Sequence, residues 1–267
     1  MARLASIRAD VALVDRGMAR SRALAQRLIE SGAVDLVVGR QVARVTRASQ
    51  PVFPEQELRV RDSPESRFVS RGGAKLAQAL AEGGIDCGGI RALDVGQSTG
   101  GFSDCLLQHG AAAVVGIEVG HGQLDPRLAA DDRVTCFEKT HVRDLSRDWL
   151  AQRAIEPRFD LVVVDLSFIS TVGLLGHLAT LADGGTALLA LIKPQFELGP
   201  DARNSKGIVR AGADIGGLRE RAWAAAQAAG WEPSRWFACT LPGTDGNQEY
   251  FLAAVREPLH ISRSSAA

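Results

Sequence analysis

Several features are scarce or missing in this sequence of 267 residues, and each absence removes a class of protein. The four cysteines lie far apart and form no CxxC pair, so we expect neither a disulfide framework nor a zinc finger. The apolar runs are too short to cross a bilayer. Asp10 and Asp15 interrupt the N-terminal segment, so we predict no signal peptide and a cytoplasmic protein. No metal-ligand spacing links His109, His177 and His260, and we expect no metal site.

The formal net charge of the whole chain is zero, but residues 1–70 and residues 71–267 carry net charges of opposite sign. The sequence contains 31 basic and 31 acidic side chains. Residues 1–70 carry 12 arginines, no lysine and 8 acidic residues, whereas residues 71–267 carry 19 basic and 23 acidic residues. A basic first part is compatible with a nucleic-acid-binding appendage or with an ordinary solvated surface. Charge alone favours the solvated surface.

The pattern of the first sixty or so residues predicts a small α+β module. Apolar residues in the segment 7–17 have helical spacing, and Gly17 can end that helix. Ser21 is the predicted N-cap of a second helix, which ends at Gly32. Two β-like runs follow, at 34–38 and 42–46. Arginines cluster around the turn between the two helices.

The string from Arg8 to Val34 resembles the S4 domain, a small RNA-binding fold. Gly17, Ser21 and Gly32 fall where that pattern has them. The resemblance implies that RNA binds at the corner between the helices through phosphate contacts, for which the planar guanidinium fork is suited. The RNA-contacting residues that it implies are Arg8, Arg16, Arg20, Ser21, Arg22 and Arg27.

From residue 90 onwards, strand-like and helical segments alternate, which predicts an α/β domain with a doubly wound, Rossmann-like sheet. The predicted strands are 90–95, 114–119, 159–164, 186–192 and 250–255, the last antiparallel and paired with 236–241. The proline- and glutamate-rich stretch 51–68 marks the domain boundary. The predicted organisation is an S4-like module at 5–63, a linker and helix at 64–89, a catalytic domain at 90–258 and a tail at 259–267.

The turn after the first of these strands has the composition of a nucleotide-binding loop. It reads D-V-G-Q-S-T-G-G-F and lacks the dinucleotide fingerprint GxGxxG. Its glycines allow a ligand to approach the backbone, and the following helix N-terminus offers free amides. Glu118 ends the second strand with a carboxylate suited to ribose hydroxyls. A generic nucleotide-binding turn is the alternative, but the pattern resembles the S-adenosylmethionine site of Rossmann-like methyltransferases. The candidate cofactor residues are Asp94, Gly96, Ser98, Thr99, Gly100, Glu118, Asp144 and Asp165, with His141 near the expected adenine.

Lysine is scarce, with 4 residues against 27 arginines, so a lysine at a strand end is informative. Lysine can lose its proton when it is desolvated, whereas arginine practically cannot. Lys193 and Asp165 each follow an apolar strand directly, which places both at the ligand-binding edge. Glu249 precedes the last strand, and Lys75 lies on the helix before the first. We therefore expect these four side chains to converge on one site.

Six segments together resemble the TlyA/hemolysin A family of ribosomal RNA 2′-O-methyltransferases, in which an S4 domain is fused to an FtsJ-like methyltransferase domain. They are S-R-G-G-A-K-L (70–76), D-V-G-Q-S-T-G-G-F (94–102), V-D-L-S-F-I-S (164–170), K-P-Q-F-E-L-G (193–199), K-G-I-V-R (206–210) and G-N-Q-E-Y-F (246–251). The resemblance implies a class I methyltransferase that uses S-adenosylmethionine and a catalytic set of Lys75, Asp165, Lys193 and Glu249. It also implies cytidine ribose in 16S or 23S rRNA, or both, as the acceptor, with rRNA or ribosomal subunits as the partner.

Lys193 is the expected general base, and Lys75 is expected to favour its neutral form through like charge and to help hold the substrate. Which of the two lysines takes the proton is left open. Asp165 and Glu249 are expected to orient the two lysines. Two alternatives stay open: a membrane-acting haemolysin, a label that the family also carries, and an rRNA-binding assembly factor without activity. The chain has no strongly cationic amphipathic helix to support the first, and the intact set of four residues disfavours the second. The oligomeric state is left open.

Overall fold

The computed structural model describes residues 5–19, 21–61 and 67–258. The chain divides into two compact units, Met1–Ala74 and Lys75–Ala267. Arg20, one of the residues expected to contact RNA, and the expected tail at 259–267 lie outside the described residues. Each unit has a buried apolar core of its own.

Up to residue 61, the described part of the first unit combines helices with short antiparallel strands. The helices are α1 (Ala9–Asp15) and α2 (Arg22–Glu30); the strands are β1 (Ile7–Arg8), β2 (Val34–Val38), β3 (Gln41–Arg44), β4 (Pro51–Val52) and β5 (Glu57–Val60). β2 lies between β3 and β5, while β1 pairs with β4. Leu13, Leu28 and Leu58 belong to the core that these elements enclose.

The ends of α2 are as predicted, whereas the start of α1 is not. Ser21 Oγ accepts a hydrogen bond from the Leu24 amide at 3.2 Å, which caps α2. Ile7, which was expected in the first helix, instead pairs with Val52 as part of β1. Helical spacing could not show this, because the pairing partner lies far along the chain. β5 likewise lies within the stretch 51–68, which was expected to mark the domain boundary.

The second unit is built on a seven-stranded sheet with the order β11-β12-β10-β9-β6-β7-β8. Its strands are β6 (Arg91–Val95), β7 (Ala113–Ile117), β8 (Val134–Phe137), β9 (Leu161–Val164), β10 (Ala187–Ile192), β11 (Trp231–Ala238) and β12 (Tyr250–Arg256). β6 to β10 pair in parallel with one another, and β12 is antiparallel to β10 and to β11. The expected α/β, Rossmann-like architecture is thereby confirmed.

The helices of this part of the chain are α3 (Arg71–Gly83), α4 (Gly101–Gln108), α5 (Pro126–Ala129), α6 (Arg147–Ala151), α7 (Leu175–Thr180), α8 (Pro194–Glu197) and α9 (Ile215–Ala228). Short 3₁₀ turns occupy Val142–Asp144, Val172–Leu174 and Pro200–Ala202. Both faces of the sheet are buried: Leu93 lies in the large core cluster, and Ala92, which points the opposite way, is also fully buried. This burial explains why the strands read as continuous apolar runs.

The position of β12 decides which residues meet at the edge of the sheet. Ile192, the last residue of β10, pairs with Tyr250, the first residue of β12. The following Lys193 and the preceding Glu249 therefore lie at the same edge, as the expected antiparallel pairing requires. The partner strand β11 runs from Trp231 to Ala238 rather than over 236–241, because Trp231 is fully buried and pairs with Arg256.

Residues 5–19, 21–61 and 67–258 lack two features, a membrane-spanning helix and a cluster of metal-binding side chains. No helix in these ranges is long and apolar enough to span a membrane. The same ranges contain no group of three His, Cys, Asp or Glu side chains that could hold a metal ion.

Candidate active site

The four side chains expected to form a catalytic set pair as two lysine–carboxylate ion pairs. Lys75 Nζ lies 2.5 Å from Glu249 Oε2, and Lys193 Nζ lies 2.6 Å from Asp165 Oδ1. The Lys75–Glu249 pair is closed off, with side chains 9% and 3% exposed, whereas Asp165 keeps 23% of its side chain exposed. The second pair is therefore the one that a substrate can reach.

Local structure explains why Lys193 points to this edge. It ends the fully buried part of β10 and directly precedes α8, where Pro194 occupies the first helical position. Its ammonium also donates a hydrogen bond to Ser167 Oγ at 3.0 Å. Sequence reasoning did not single out Ser167, although this residue lies in the same V-D-L-S-F-I-S segment as Asp165.

A cleft of about 540 Å³ opens at the carboxyl ends of β6, β7 and β9. Gly96, Ser98, Glu118 and Asp165, all candidate cofactor residues, line it. His141, which was expected near the adenine, lines it as well. Five of the expected positions thus come together around one cavity.

Glu118 is fixed in this cleft by backbone amides. The Ser98 N–H donates to its Oε2 at 2.9 Å, and the Gly120 N–H donates to its Oε1 at 2.7 Å. Each carboxylate oxygen has a second lone pair, so the group can still accept bonds from the two hydroxyls of a ribose. Sequence reasoning missed Gly120, whose amide holds the carboxylate from the opposite side.

The cleft fits S-adenosylmethionine. Its wall combines the Glu118 carboxylate with apolar side chains such as Ile117, Val142 and Leu166, and this suits a ribose and a flat adenine. Gly96 has φ +89°, and a Cβ there would lie 2.3 Å from the Asp165 carbonyl oxygen. A larger residue at position 96 would displace the Asp165 loop, so this glycine is needed for the shape of the cleft itself.

Three other candidate cofactor residues lie outside the lining of this cleft. Thr99 uses its carbonyl to accept a bond from the Asp125 amide at 3.2 Å. Gly100 has φ +91° and forms the N-cap of α4. Asp144 is exposed at the end of a 3₁₀ turn, whereas Thr140, on the other side of His141, lines the cleft.

Asp94 is fully buried beneath the loop instead of lining the cleft. Its Oδ2 accepts a hydrogen bond from Ser103 Oγ at 2.7 Å, and that hydroxyl accepts one from Gln97 Nε2 at 2.7 Å. Burial raises the pKa of Asp94 to about 7, with the nearby carboxylates of Asp165 and Glu118 acting in the same direction. Asp94 thus supports the loop from below, through α4.

A second cleft of about 420 Å³ lies beside the first. Lys193 and Glu249 line it, and Ser167 and Phe168 line both clefts. Phe168 has φ +70° and is 87% exposed, and its ring centroid lies 5.2 Å from that of Phe196. Ligands in the two clefts would meet at the wall that Ser167 and Phe168 form, next to the Lys193 ammonium.

In the first unit, a buried carboxylate organises two of the arginines expected to contact RNA. Asp10 is fully buried and accepts bonds from Arg8 at 2.9 Å, from Arg22 at 2.9 Å and from Gln26 at 3.0 Å. The Arg8 hydrogen bond above all, together with those from Gln26 and Arg22, holds the pKa of Asp10 well below its ordinary value. The Arg8 and Arg22 side chains remain 48% and 57% exposed.

The other expected RNA contacts have different surroundings. Arg16 donates to the backbone carbonyls of Gln56 at 2.6 Å and of Phe53 at 3.2 Å. Ser21 caps α2, and Arg27 is half-buried on that helix. The structure thus gathers Arg8 and Arg22 at Asp10, with Arg16 held separately.

The fold and the site together define a methyltransferase with a Rossmann-like fold that uses S-adenosylmethionine. Residues 68–256 match the profile of the FtsJ-like methyltransferase family. The chain belongs to this family, and the similar proteins place it in its TlyA/hemolysin A group.

The comparison proteins include two curated relatives and one solved structure. The chain is 42% identical over 249 residues to the 16S/23S rRNA (cytidine-2′-O)-methyltransferase TlyA of Mycobacterium tuberculosis, covering 92% of this chain and 88% of that protein. It is 33% identical over 204 residues to Hemolysin A of Brachyspira hyodysenteriae, covering 76% of this chain and 81% of that protein. A hemolysin-like structure from Streptococcus thermophilus has 30% identity and a TM-score of 0.71, and the match covers 96% of this chain and 90% of that chain. The family match begins at residue 68, so the S4 resemblance of the first unit stays a prediction.

Proposed function

We propose that this chain methylates the ribose 2′-hydroxyl of a cytidine in ribosomal RNA, with S-adenosylmethionine as the methyl donor. The observation that carries the proposal is the place of Lys193, which lines the second cleft next to the wall shared with the cofactor cleft. The relative from Mycobacterium tuberculosis is named for 16S and 23S rRNA cytidines, and a Campylobacter jejuni relative, 33% identical over 190 residues, for 23S rRNA. Either rRNA, or both, is therefore the proposed substrate, which implies a cytoplasmic location.

In this proposal Lys193 acts as the general base. When bound, S-adenosylmethionine supplies a methyl group attached to a sulfonium, which is a good leaving group. The 2′-hydroxyl would give its proton to the neutral amine of Lys193 while its oxygen takes the methyl group, and the carbon–sulfur bond would break with its electron pair left on sulfur. Asp165 and Ser167 hold Nζ in place. Placing the reacting atoms in line supplies much of the rate, so no metal is needed.

The second cleft is the proposed site of the acceptor nucleoside. Phe168 offers an exposed aromatic face on which an unstacked base can lie, and Arg203 lines the same cleft with a cation suited to phosphate. The closed Lys75–Glu249 pair supports the floor of this cleft through Glu249. The first unit, with Arg8 and Arg22 at its surface, is the proposed RNA-docking module.

Methylation of rRNA from a strain that lacks the gene tests this proposal. The purified protein is incubated with radiolabelled S-adenosylmethionine and with 16S rRNA, 23S rRNA or ribosomal subunits, and 2′-O-methylated positions are mapped. We expect label at a cytidine ribose and none with Lys193→Ala. Label on a base, or on no RNA at all, would overturn the proposal.

Two outcomes would favour the alternative functions. Binding of rRNA without methyl transfer would favour an assembly factor, and liposome lysis that Lys193→Ala leaves unchanged would favour a membrane-acting haemolysin.

A further inference from the structure

Two loops carry the groups that meet at the shared wall of the clefts. The first, residues 165–172, follows β9 and contains Asp165, Ser167 and Phe168. The second, residues 193–197, follows β10 and contains Lys193. The expected reactive pair is therefore split between the loops, and its geometry depends on what holds one loop against the other.

Glu197 joins these loops with three hydrogen bonds. Its Oε2 accepts a bond from Ser170 Oγ at 2.6 Å, and its Oε1 accepts bonds from the backbone amides of Thr171 at 2.7 Å and Val172 at 3.1 Å. Thr171 is only 2% exposed. A single carboxylate thus carries three bonds between the two segments.

These bonds satisfy groups that the local structure leaves open. Val172 begins the 3₁₀ turn that leads into α7, and the first amides of such a turn have no partner within it. A negative charge at this end is also favoured by the dipole of the helical segment. Glu197 belongs to the same segment as Lys193. By capping the 3₁₀ turn at Val172–Leu174, it therefore fixes the position of the 165–172 loop relative to Lys193.

The same bonds constrain the residues at the wall. Ser167 and Phe168 lie five and four residues before Val172, where the capped turn begins, and Phe168 has a positive φ, which surrounding contacts must stabilise. The Phe168 and Phe196 rings meet on the other side of the same junction. A shift of about 1 Å between these loops would separate Asp165 and Ser167 from the Lys193 ammonium, a misplacement that costs large factors in rate.

We propose that Glu197 is a positioning residue for methyl transfer, because it locks the 165–172 loop against the 193–197 loop. The inference rests on the proposed role of Lys193. Glu197 touches neither reactant in this proposal and acts through the placement of Asp165 and Ser167. It therefore affects kcat more than the affinity for either substrate.

The test compares Glu197→Ala, Glu197→Gln and Ser170→Ala, assayed in the full-length protein at saturating S-adenosylmethionine and rRNA. We expect Glu197→Ala to lower kcat at least about tenfold. Glu197→Gln should recover most of this loss, because the amide oxygen can still accept bonds from both backbone amides. Ser170→Ala removes one of the three bonds to Glu197, together with the bond that Ser170 Oγ accepts from the Gly173 amide at 2.9 Å, and its kcat should fall between those of wild type and Glu197→Ala.

Asp214→Ala is the matched control for a purely structural effect. Asp214 caps α9 by accepting a bond from the Gly217 amide at 2.7 Å, and it lines neither cleft. We expect its loss to lower thermal stability without changing kcat for the folded protein. If the Glu197→Ala protein is poorly folded, Ser170→Ala carries the comparison. A wild-type kcat in folded Glu197→Ala, or in Ser170→Ala where Glu197→Ala does not fold, would overturn the inference, and so would a loss that merely follows the folded fraction as in Asp214→Ala.

Lys193→Ala separates this inference from the proposed function. If Lys193→Ala is inactive while the Glu197 variants keep the wild-type kcat, only the role of Glu197 fails. If Lys193→Ala itself methylates rRNA at the normal rate, the proposed chemistry fails.

Discussion

The two units use the same chemical device, a cation held by a carboxylate, in opposite ways. In the first unit the carboxylate of Asp10 is fully buried, while the heads of Arg8 and Arg22 remain about half exposed. In the second unit both lysines are buried, at 9% exposure for Lys75 and 11% for Lys193, and Glu249 beside Lys75 is buried as well, at 3%. An exposed guanidinium keeps its charge and its donor fork available to phosphate. The two units thus differ in whether the cation is exposed, which matches the roles proposed for them: phosphate contacts for the arginines and proton transfer for Lys193.

The largest effect should come from replacing the accessible lysine. Lys193→Arg keeps the charge, but a guanidinium holds its proton too tightly to act as a base near neutral pH. Lys193→Ala removes the base without adding bulk. Both variants should lose at least about a hundredfold in kcat, the usual contribution of a positioned base. Single-turnover assays with both ligands bound provide the measurement, and near wild-type transfer by Lys193→Arg would show that this lysine acts only through its charge.

Breaking the closed pair should mainly affect stability. Glu249→Gln leaves the Lys75 ammonium buried beside a neutral amide, which still accepts one hydrogen bond. We expect the second unit to lose about 2 kcal/mol of unfolding free energy, somewhat less than when a buried charge loses every partner. Denaturant unfolding followed by tryptophan fluorescence measures this, since all four tryptophans of the sequence lie in that unit. An unchanged midpoint would mean that water reaches Lys75.

Neutralising an exposed arginine should weaken RNA binding without disturbing the cofactor. For Arg22→Gln we expect rRNA affinity to fall about five- to tenfold, and the slope of log affinity against log salt to become shallower by about 1. Arg235→Gln is the control, because Arg235 is exposed on β11 of the second unit and its loss changes the net charge equally. Equal effects of the two variants would contradict a docking surface on the first unit. S-adenosylmethionine affinity, measured by calorimetry, should match wild type in both.

The pH dependence of stability should report on the buried carboxyl of Asp94. Its pKa is raised to about 7 in the folded protein, so the folded chain holds this proton to higher pH than the unfolded chain does. The contribution of this proton to the free energy of unfolding is fully present below about pH 4 and is lost as pH rises towards 7. The free energy of unfolding then falls by at most about 1.4 kcal/mol per pH unit. Asp94→Asn should flatten that part of the stability profile. A profile identical to wild type would show that folding does not shift the pKa of Asp94.

Local sequence patterns determined the elements and many of their ends. Ser21 predicted a cap and is one, because capping depends only on a hydroxyl and an amide three residues apart. The apolar runs before Asp165 and Lys193 predicted buried strands, and strand ends in a parallel sheet share one edge. Those two facts were sufficient to bring the reactive pair together. The family resemblance added the methyl donor and the expected acceptor.

The partner of each side chain was decided only by the tertiary structure. Asp94 and Glu118 both end or nearly end a strand, yet Asp94 points to the face covered by α4 and Glu118 lines the cleft. In the same way, no local rule shows that Arg8 and Arg22 share Asp10, or that Glu197 caps a turn some 25 residues earlier in the chain. Sequence spacing fixes which face of an element a residue occupies, because that depends on bonded geometry. What the face meets depends on contacts between distant segments, and those form only when the chain folds.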